Sequence, residues 1–174
     1  YFSDDGSDSP GGSTADIYLA KINSTGAIAW QQIIGAAGDD RAEAIACDAA
    51  GNLYITGEFQ GTVDFDAGSG ISTLSTSAPA AIFVLKIDSN GAFQWVRGYS
   101  ATTGLSVGYG IAVDTVGEVV VTGQFAGTID FNPGGSALNL TSAGGTDIVV
   151  LKLNAAGDLQ WASGFGGSND DRGV

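Results

Sequence analysis

The residues that could do chemistry in this chain are almost all acids and hydroxyls, because histidine is absent. Without it there is no Ser-His-Asp or Cys-His relay and no imidazole ligand for a metal. One serine has the spacing of a nucleophile elbow, Ser106 in Gly104-Leu-Ser-Val-Gly108. That motif works on a strand-to-helix turn beside a histidine base. Neither helix nor base is available, so a chance match in a glycine-rich loop is expected. The doublets Asp39-Asp40 and Asp170-Asp171 are candidates for the paired carboxylates of glycoside hydrolysis. Adjacent residues of an extended chain point apart, and Glu43, Glu58 and Glu118 show no pairing by spacing, so these acids are expected to be solvated. Gly164-Phe-Gly-Gly is followed by neither lysine nor helix and is no phosphate loop. No catalytic residue and no organic cofactor is expected.

A repeated acidic loop offers the best candidate site. Asp64-Phe-Asp-Ala-Gly68 and Asp130-Phe-Asn-Pro-Gly134 place side-chain oxygens at i and i+2 and a glycine at i+4. Asp64, Asp66, Asp130 and Asn132 thus resemble the opening of a calcium loop, where hard oxygens gather at about 2.3–2.6 Å around the ion. Asp4-Asp5-Gly-Ser-Asp8 is a looser relative. The glutamate that completes an EF-hand is missing. A turn held by Asn/Asp side-chain hydrogen bonds explains the same letters and is the preferred reading, with calcium as the second.

The elements that would position these loops recur along the chain. Ala20-Lys-Ile-Asn23 returns as Leu85-Lys-Ile-Asp88 and Leu151-Lys-Leu-Asn154, and Trp30, Trp95 and Trp161 follow 65 and then 66 residues apart. Thr56-Gly57 matches Thr122-Gly123, and Phe59-Gln-Gly-Thr-Val-Asp-Phe65 matches Phe125-Ala-Gly-Thr-Ile-Asp-Phe131. A fixed period means a supersecondary unit that buries its faces against its neighbours. Five Asn/Asp-x-x-Gly turns, starting at Asn23, Asp48, Asp88, Asp114 and Asn154, separate apolar runs of strand length. Ile148-Val-Val-Leu151 is apolar on both faces, which predicts a strand covered on both sides. Each period holds two hairpins, Ala44–Cys47 into Leu53–Gly57 then Ile82–Ile87 into Phe93–Arg97, and their counterparts one period on. A small extra hairpin is expected within Gly61–Thr76 and Gly127–Ser142. The fold class is therefore all-β, with four-stranded antiparallel blades of about 65 residues in a β-propeller-like repeat; a β-solenoid is the alternative. The organisation is a partial repeat at 1–43 and full repeats at 44–109 and 110–174. The tryptophans are expected to pack between units, and Lys21, Lys86 and Lys152 to pair with acids from neighbouring strands.

Composition sets outer bounds. Hydrophobic residues make up 44% of the 174, glycine contributes 28 and proline only 3, as many short strands with tight turns require. Nineteen acids against six bases give a formal charge of −13. Such a surface repels nucleic acid and anionic lipid, and no apolar run approaches the length of a spanning helix, so neither nucleic-acid binding nor membrane insertion is expected. The single cysteine, Cys47, lies in an alternating strand and is expected to be buried.

Residues Ala44–Gly57 and Gly110–Gly123, with the pattern I-A-x-D-x-x-G-x-x-x-x-T-G, resemble the bacterial β-propeller repeats known as SBBP repeats. The fuller unit, with G-T-x-D-F-[DN] and a later L-K-x-[DN]-x-x-G-x-x-x-W, is similar to long secreted or surface repeat proteins of Bacteroidota-type bacteria. The resemblance implies an extracellular, non-enzymatic scaffold, adhesin segment or assembly unit whose partners are other protein segments or copies of itself. A glycan- or ligand-binding propeller, using loops such as Gly35–Arg41 and Gly166–Arg172, is the alternative. The first unit departs from the pattern, with Ser3–Thr14 in place of the G-T-x-D-F loop. In strands the chain amounts to half a blade followed by two, fewer than the about four needed for closure. It is thus expected to be a piece of a larger polypeptide or a subunit completed by other chains.

Overall fold

Short apolar runs between glycine-bearing turns leave no room for helices, and none occurs among residues 14–173, the part described by the computed structural model. The acidic run Asp4–Asp8 lies outside the described residues. The strands are β1 (Ile17–Ile22), β2 (Ile28–Ile34), β3 (Arg41–Cys47), β4 (Leu53–Phe59), β5 (Thr62–Asp64), β6 (Thr73–Ser75), β7 (Ala81–Ile87), β8 (Phe93–Tyr99), β9 (Ser106–Val113), β10 (Val119–Asp130), β11 (Asn139–Leu153) and β12 (Leu159–Phe165). They form two four-stranded meanders, β3-β4-β7-β8 and β9-β10-β11-β12, plus the hairpins β1-β2 and β5-β6. All strand pairings within these sheets are antiparallel, and none of the sheets closes on itself.

All five Asn/Asp-x-x-Gly segments form the turns expected of them. In each, Oδ1 of the Asn or Asp accepts the amides at i+2 and i+4 at 2.8–3.0 Å. The glycine sits at φ between 80° and 87°, a region that side-chain-bearing residues avoid.

Two apolar layers hold the units together. Ile17, Leu19 and Ile34 of the β1-β2 hairpin pack on Ile55, Phe83, Leu85 and Ile87 of the first meander. The opposite face of that meander, with Tyr54, Ile82, Val84 and Tyr99, packs on Val121, Phe125, Val149 and Leu151 of the second. β7 is accordingly buried on both faces. β11 corrects the expectation of double coverage: Val149 and Leu151 are fully buried, whereas Ile148 and Val150 are half-buried. The physical reason is that no described element lies against the outer face of that sheet. Cys47 is a second correction. It is exposed rather than buried, because β3 is an edge strand and its odd-numbered residues point outward.

The extra hairpin is present in both units but built differently. β5-β6 stands as its own two-stranded sheet, whereas in the second unit Thr128–Asp130 and Asn139–Thr141 continue the β10-β11 ladder past a register shift at Ala126/Thr128. In both, the repeated phenylalanines meet edge to face, Phe59 with Phe65 at 5.6 Å and Phe125 with Phe131 at 5.7 Å between ring centroids.

Candidate functional site

The second acid of each aspartate doublet and the candidate serine occupy one register position. Asp40, Ser106 and Asp171 are spaced by the repeat, and their backbone N–H groups donate to carbonyls just before β1, just before β7 and within β11. The acceptors are Ala15 (2.7 Å), Ala80 (3.1 Å) and Thr146 (2.6 Å). The side chains complete the junction. Asp40 accepts the Ala36 amide at 2.9 Å and the Gln60 amide at 3.0 Å. Asp171 accepts the Gly167 amide at 2.9 Å. Ser106 accepts the Ile82 amide at 3.2 Å and donates to the Tyr99 carbonyl at 3.0 Å. Ser106 is fully buried at the start of β9, so its glycine-flanked spacing marks a strand start rather than a loop. Among the described residues its hydroxyl is bonded to backbone groups and to no side-chain base.

Asp40 likewise corrects the expectation of a solvated acid, being fully buried. Asp39 points away from it, accepting the Ala15 amide and pairing with Arg41 at 2.8 Å. The Ala15 amide and the Arg41 guanidinium hold the Asp39 carboxyl below its ordinary range. Burial pushes Asp40 up to about 6, against its two amide bonds and with the charges of Asp16 and Asp39 adding to the rise. Because this value lies above that of the unfolded chain, Asp40 costs nothing below about pH 4, and its cost grows to at most about 3 kcal/mol above pH 6. Asp40→Asn is expected to sacrifice one amide bond at every pH but to abolish this dependence. Chemical denaturation of both proteins between pH 4 and 7 should show the variant gaining on the wild type as pH rises. A flat difference would mean that Asp40 stays ionised throughout.

The four proposed metal ligands are placed in two separate loops. Asp64 Oδ1 accepts the amides of Asp66 (3.1 Å) and Ser72 (2.8 Å), and Asp130 Oδ1 accepts those of Asn132 (2.9 Å) and Leu138 (2.9 Å). Asp66 Oδ1 accepts the Gly68 amide, and Asn132 Nδ2 donates to the Ser136 carbonyl, both at 2.9 Å. The i+2 and i+8 bonds recur in both units, so the aspartate of G-T-x-D-F ties the two ends of the loop together. Each loop thereby spends one oxygen of its first acid on its own backbone.

The tryptophans pair with the conserved-register lysines, Lys21 with Trp30, Lys86 with Trp95 and Lys152 with Trp161. Trp30 lies on the turn of the next unit, its Nε1 donating to the Ser89 carbonyl at 3.3 Å, while a Cβ on Gly91 would come within 3.1 Å of the ring. Trp95 repeats the arrangement, with Nε1 donating to Ala155 at 3.2 Å and Gly157 beneath the ring. The lysines diverge. Lys152 pairs with Glu118 at 2.6 Å as expected, but Lys21 donates to the Ser89 carbonyl at 2.7 Å and Lys86 lies 5.0 Å from the centre of the Tyr54 ring. At Lys86 the expected acid is absent because Asn52, the counterpart of Glu118, carries no charge.

A cleft of about 370 Å³ lies where the loop carrying Phe131, Asn132 and Pro133 faces Arg97, Tyr99 and Asp158. Arg97 escapes a search for repeats, since Gln32 and Ser163 hold the equivalent positions. Its donors are engaged by the Gly157, Ala156 and Val96 carbonyls at 2.9–3.1 Å and by Asp158 at 3.4 Å. It therefore fastens the two meanders instead of awaiting an anion.

These contacts define a class of protein: an all-β repeat protein whose units are joined by buried strand-entry bonds and by tryptophans seated on neighbouring turns. No known protein-family pattern matches the chain. It is similar to an uncharacterized WD repeat-containing protein of Acanthamoeba polyphaga mimivirus, with 28% identity over 167 residues, covering 82% of this chain and 12% of that protein. It is also similar to the regulatory protein FlaEY of Caulobacter vibrioides, with 30% identity over 123 residues, covering 71% of this chain and 13% of that one. The chain thus spans about an eighth of the length of these relatives.

Proposed function

We propose that this chain is a stretch of a β-propeller-like repeat of the bacterial SBBP kind and serves as an extracellular, non-enzymatic scaffold or assembly unit. The observation that carries this reading is the use of the chemistry-bearing side chains as structural fasteners, within loops and between units. Asp40, Ser106 and Asp171 bond strand entries, Asp64 and Asp130 close loops, and Trp30 and Trp95 seat on turns. The two meanders have the strand order of propeller blades, and the likeness to a WD repeat-containing protein fits the same architecture.

Two measurements test the proposal. Incubation of the purified chain with a soluble glycan array and a panel of glycosidase and esterase substrates is expected to give neither binding nor turnover. Specific glycan binding, lost when Asp158 or Asn132 at the cleft is replaced, would favour a ligand-binding propeller instead. Chelator is expected to leave the melting temperature unchanged, because Asp64 and Asp130 already close their loops through backbone amides. A calcium-dependent rise in melting temperature, abolished by Asp64→Asn with Asp130→Asn, would make these loops metal sites.

A further inference from the structure

Two of the three strand entries carry a pair of acids where the middle one carries none. Asp40, Ser106 and Asp171 each donate an amide to the residue just before Asp16, Ala81 and Asp147, so these six residues fill the same two repeat positions. A third position varies with them. It is Gly35 beside Asp16 and Gly166 beside Asp147, but Ser100 in the unit that lacks the acids. A Cβ on Gly166 would fall 2.5 Å from Asp147 Oδ1 and 2.9 Å from Asp171 Oδ2, and one on Gly35 would strike the Asp16 carboxylate. The bare Cα lets the carboxylates close up. Acid, glycine and acid are thus present together or replaced together.

Asp147 is only 4% exposed, and its carboxylate is half served. Oδ2 accepts the Ala143 amide at 2.9 Å, whereas Oδ1, on the side of Gly166 and Asp171, has no hydrogen-bond partner among the described residues. No ion pair among the described residues involves either acid, and Arg172 lies instead over the Tyr109 ring, 3.9 Å from its centre. A buried carboxylate oxygen without a donor is costly, and a second carboxylate turned toward it adds repulsion. A bound cation removes both costs. We propose that Asp147 and Asp171 hold a calcium ion at this strand entry, with water completing its shell. The side-chain donors are carboxylate oxygens, with neither thiolate nor imidazole among them, and such hard donors select a hard cation. The site is separate from the loops of Asp64 and Asp130. Two carboxylates place its affinity at the weak end of the calcium range, about 10⁻⁴–10⁻³ M.

Equilibrium dialysis of the 174-residue chain against radioactive calcium is expected to show a site that half-fills in that range. Calcium at about 10 mM should raise the melting temperature by at least about 3 °C. Sodium chloride at equal ionic strength screens the −13 charge without filling the site and should not. Chelator without added calcium has nothing to remove at this affinity. Asp147→Asn is expected to abolish both the dialysis site and the shift, whereas Asp64→Asn with Asp130→Asn keeps them. If Asp147→Asn does not fold, the triple variant Asp147→Ala, Gly166→Ser, Asp171→Ser takes its place. It copies Ala81, Ser100 and Ser106, a combination the chain already accommodates, and should lose calcium likewise. No calcium uptake, a shift matched by sodium chloride, or a site that survives these variants would each overturn the proposal. Loss with the Asp64 and Asp130 variants instead would overturn it too, by moving the ion to those loops. None of those results bears on the glycan and substrate tests of the scaffold reading, so the two fail separately.

Discussion

Trp95→Ala is expected to lower the stability of the chain by about 2–4 kcal/mol, somewhat below the range for fully buried aromatics, while Trp161→Ala in dilute solution changes it by no more than about 0.5 kcal/mol. The two residues share a strand position and a lysine partner, so intrinsic propensity cancels from the comparison. What differs is the neighbour. Trp95 covers the Asn154–Gly157 turn, donates to the Ala155 carbonyl, meets Tyr54 edge-on at 6.3 Å and lies 5.7 Å from the Arg97 guanidinium. Its removal would open a gap between the two meanders and leave Gly157 uncovered. Urea denaturation at unchanged m-value is the measurement. Equal losses for the two variants would show that the tryptophans act within their own sheets and would remove the turn contact as the fastener between units.

The second large effect is expected at the repeated Thr-Gly. Alanine at Gly57 would drive its Cβ into the Arg41 carbonyl oxygen, and alanine at Gly123 would meet the Val107 carbonyl oxygen in the same way. Both sites face a register shift in the outermost strand pair, between Ala42 and Ala44 and between Thr122 and Gly123. Backbone cannot step aside there without breaking the ladder. Thr56 adds a constraint, since its hydroxyl donates to the Phe83 carbonyl at 2.7 Å across the sheet. Gly57→Ala and Gly123→Ala should each cost about 3 kcal/mol or more, at the upper end of overpacking. Gly167→Ala is the control, because nothing lies within 4 Å of its Cβ position. Thermal denaturation of the three variants decides the matter. Near-native melting of Gly57→Ala would mean that the bulge relaxes freely and that the glycine is retained for some other reason.

Much of this protein was legible from residue spacing. The turns could be read because an Asn/Asp side chain and the glycine three residues on act locally, within one hairpin. The strand pairs followed, since each turn joins two apolar runs of matched length. The register of Trp30, Trp95 and Trp161 was equally visible, and so was the recurrence of the Phe-Phe loop, whose two rings do meet in both units.

Tertiary structure decided what those positions face. Cys47 and Ile45 alternate like core residues, yet β3 lies at a sheet edge and both are exposed. Asp40 reads as a loop acid, and only the convergence of the Ala36 and Gln60 amides from different segments makes burial of its carboxyl tolerable. Ser106 looks like a nucleophile until it is aligned with Asp40 and Asp171, where it serves as a strand-entry fastener. Trp161 carries the same letters as Trp95, but among the described residues no turn lies beneath it. Local spacing therefore determines hairpins and register, because their hydrogen bonds close within a few residues. Burial and the state of each acid depend on which unit packs alongside, and that is set by contacts about one repeat apart.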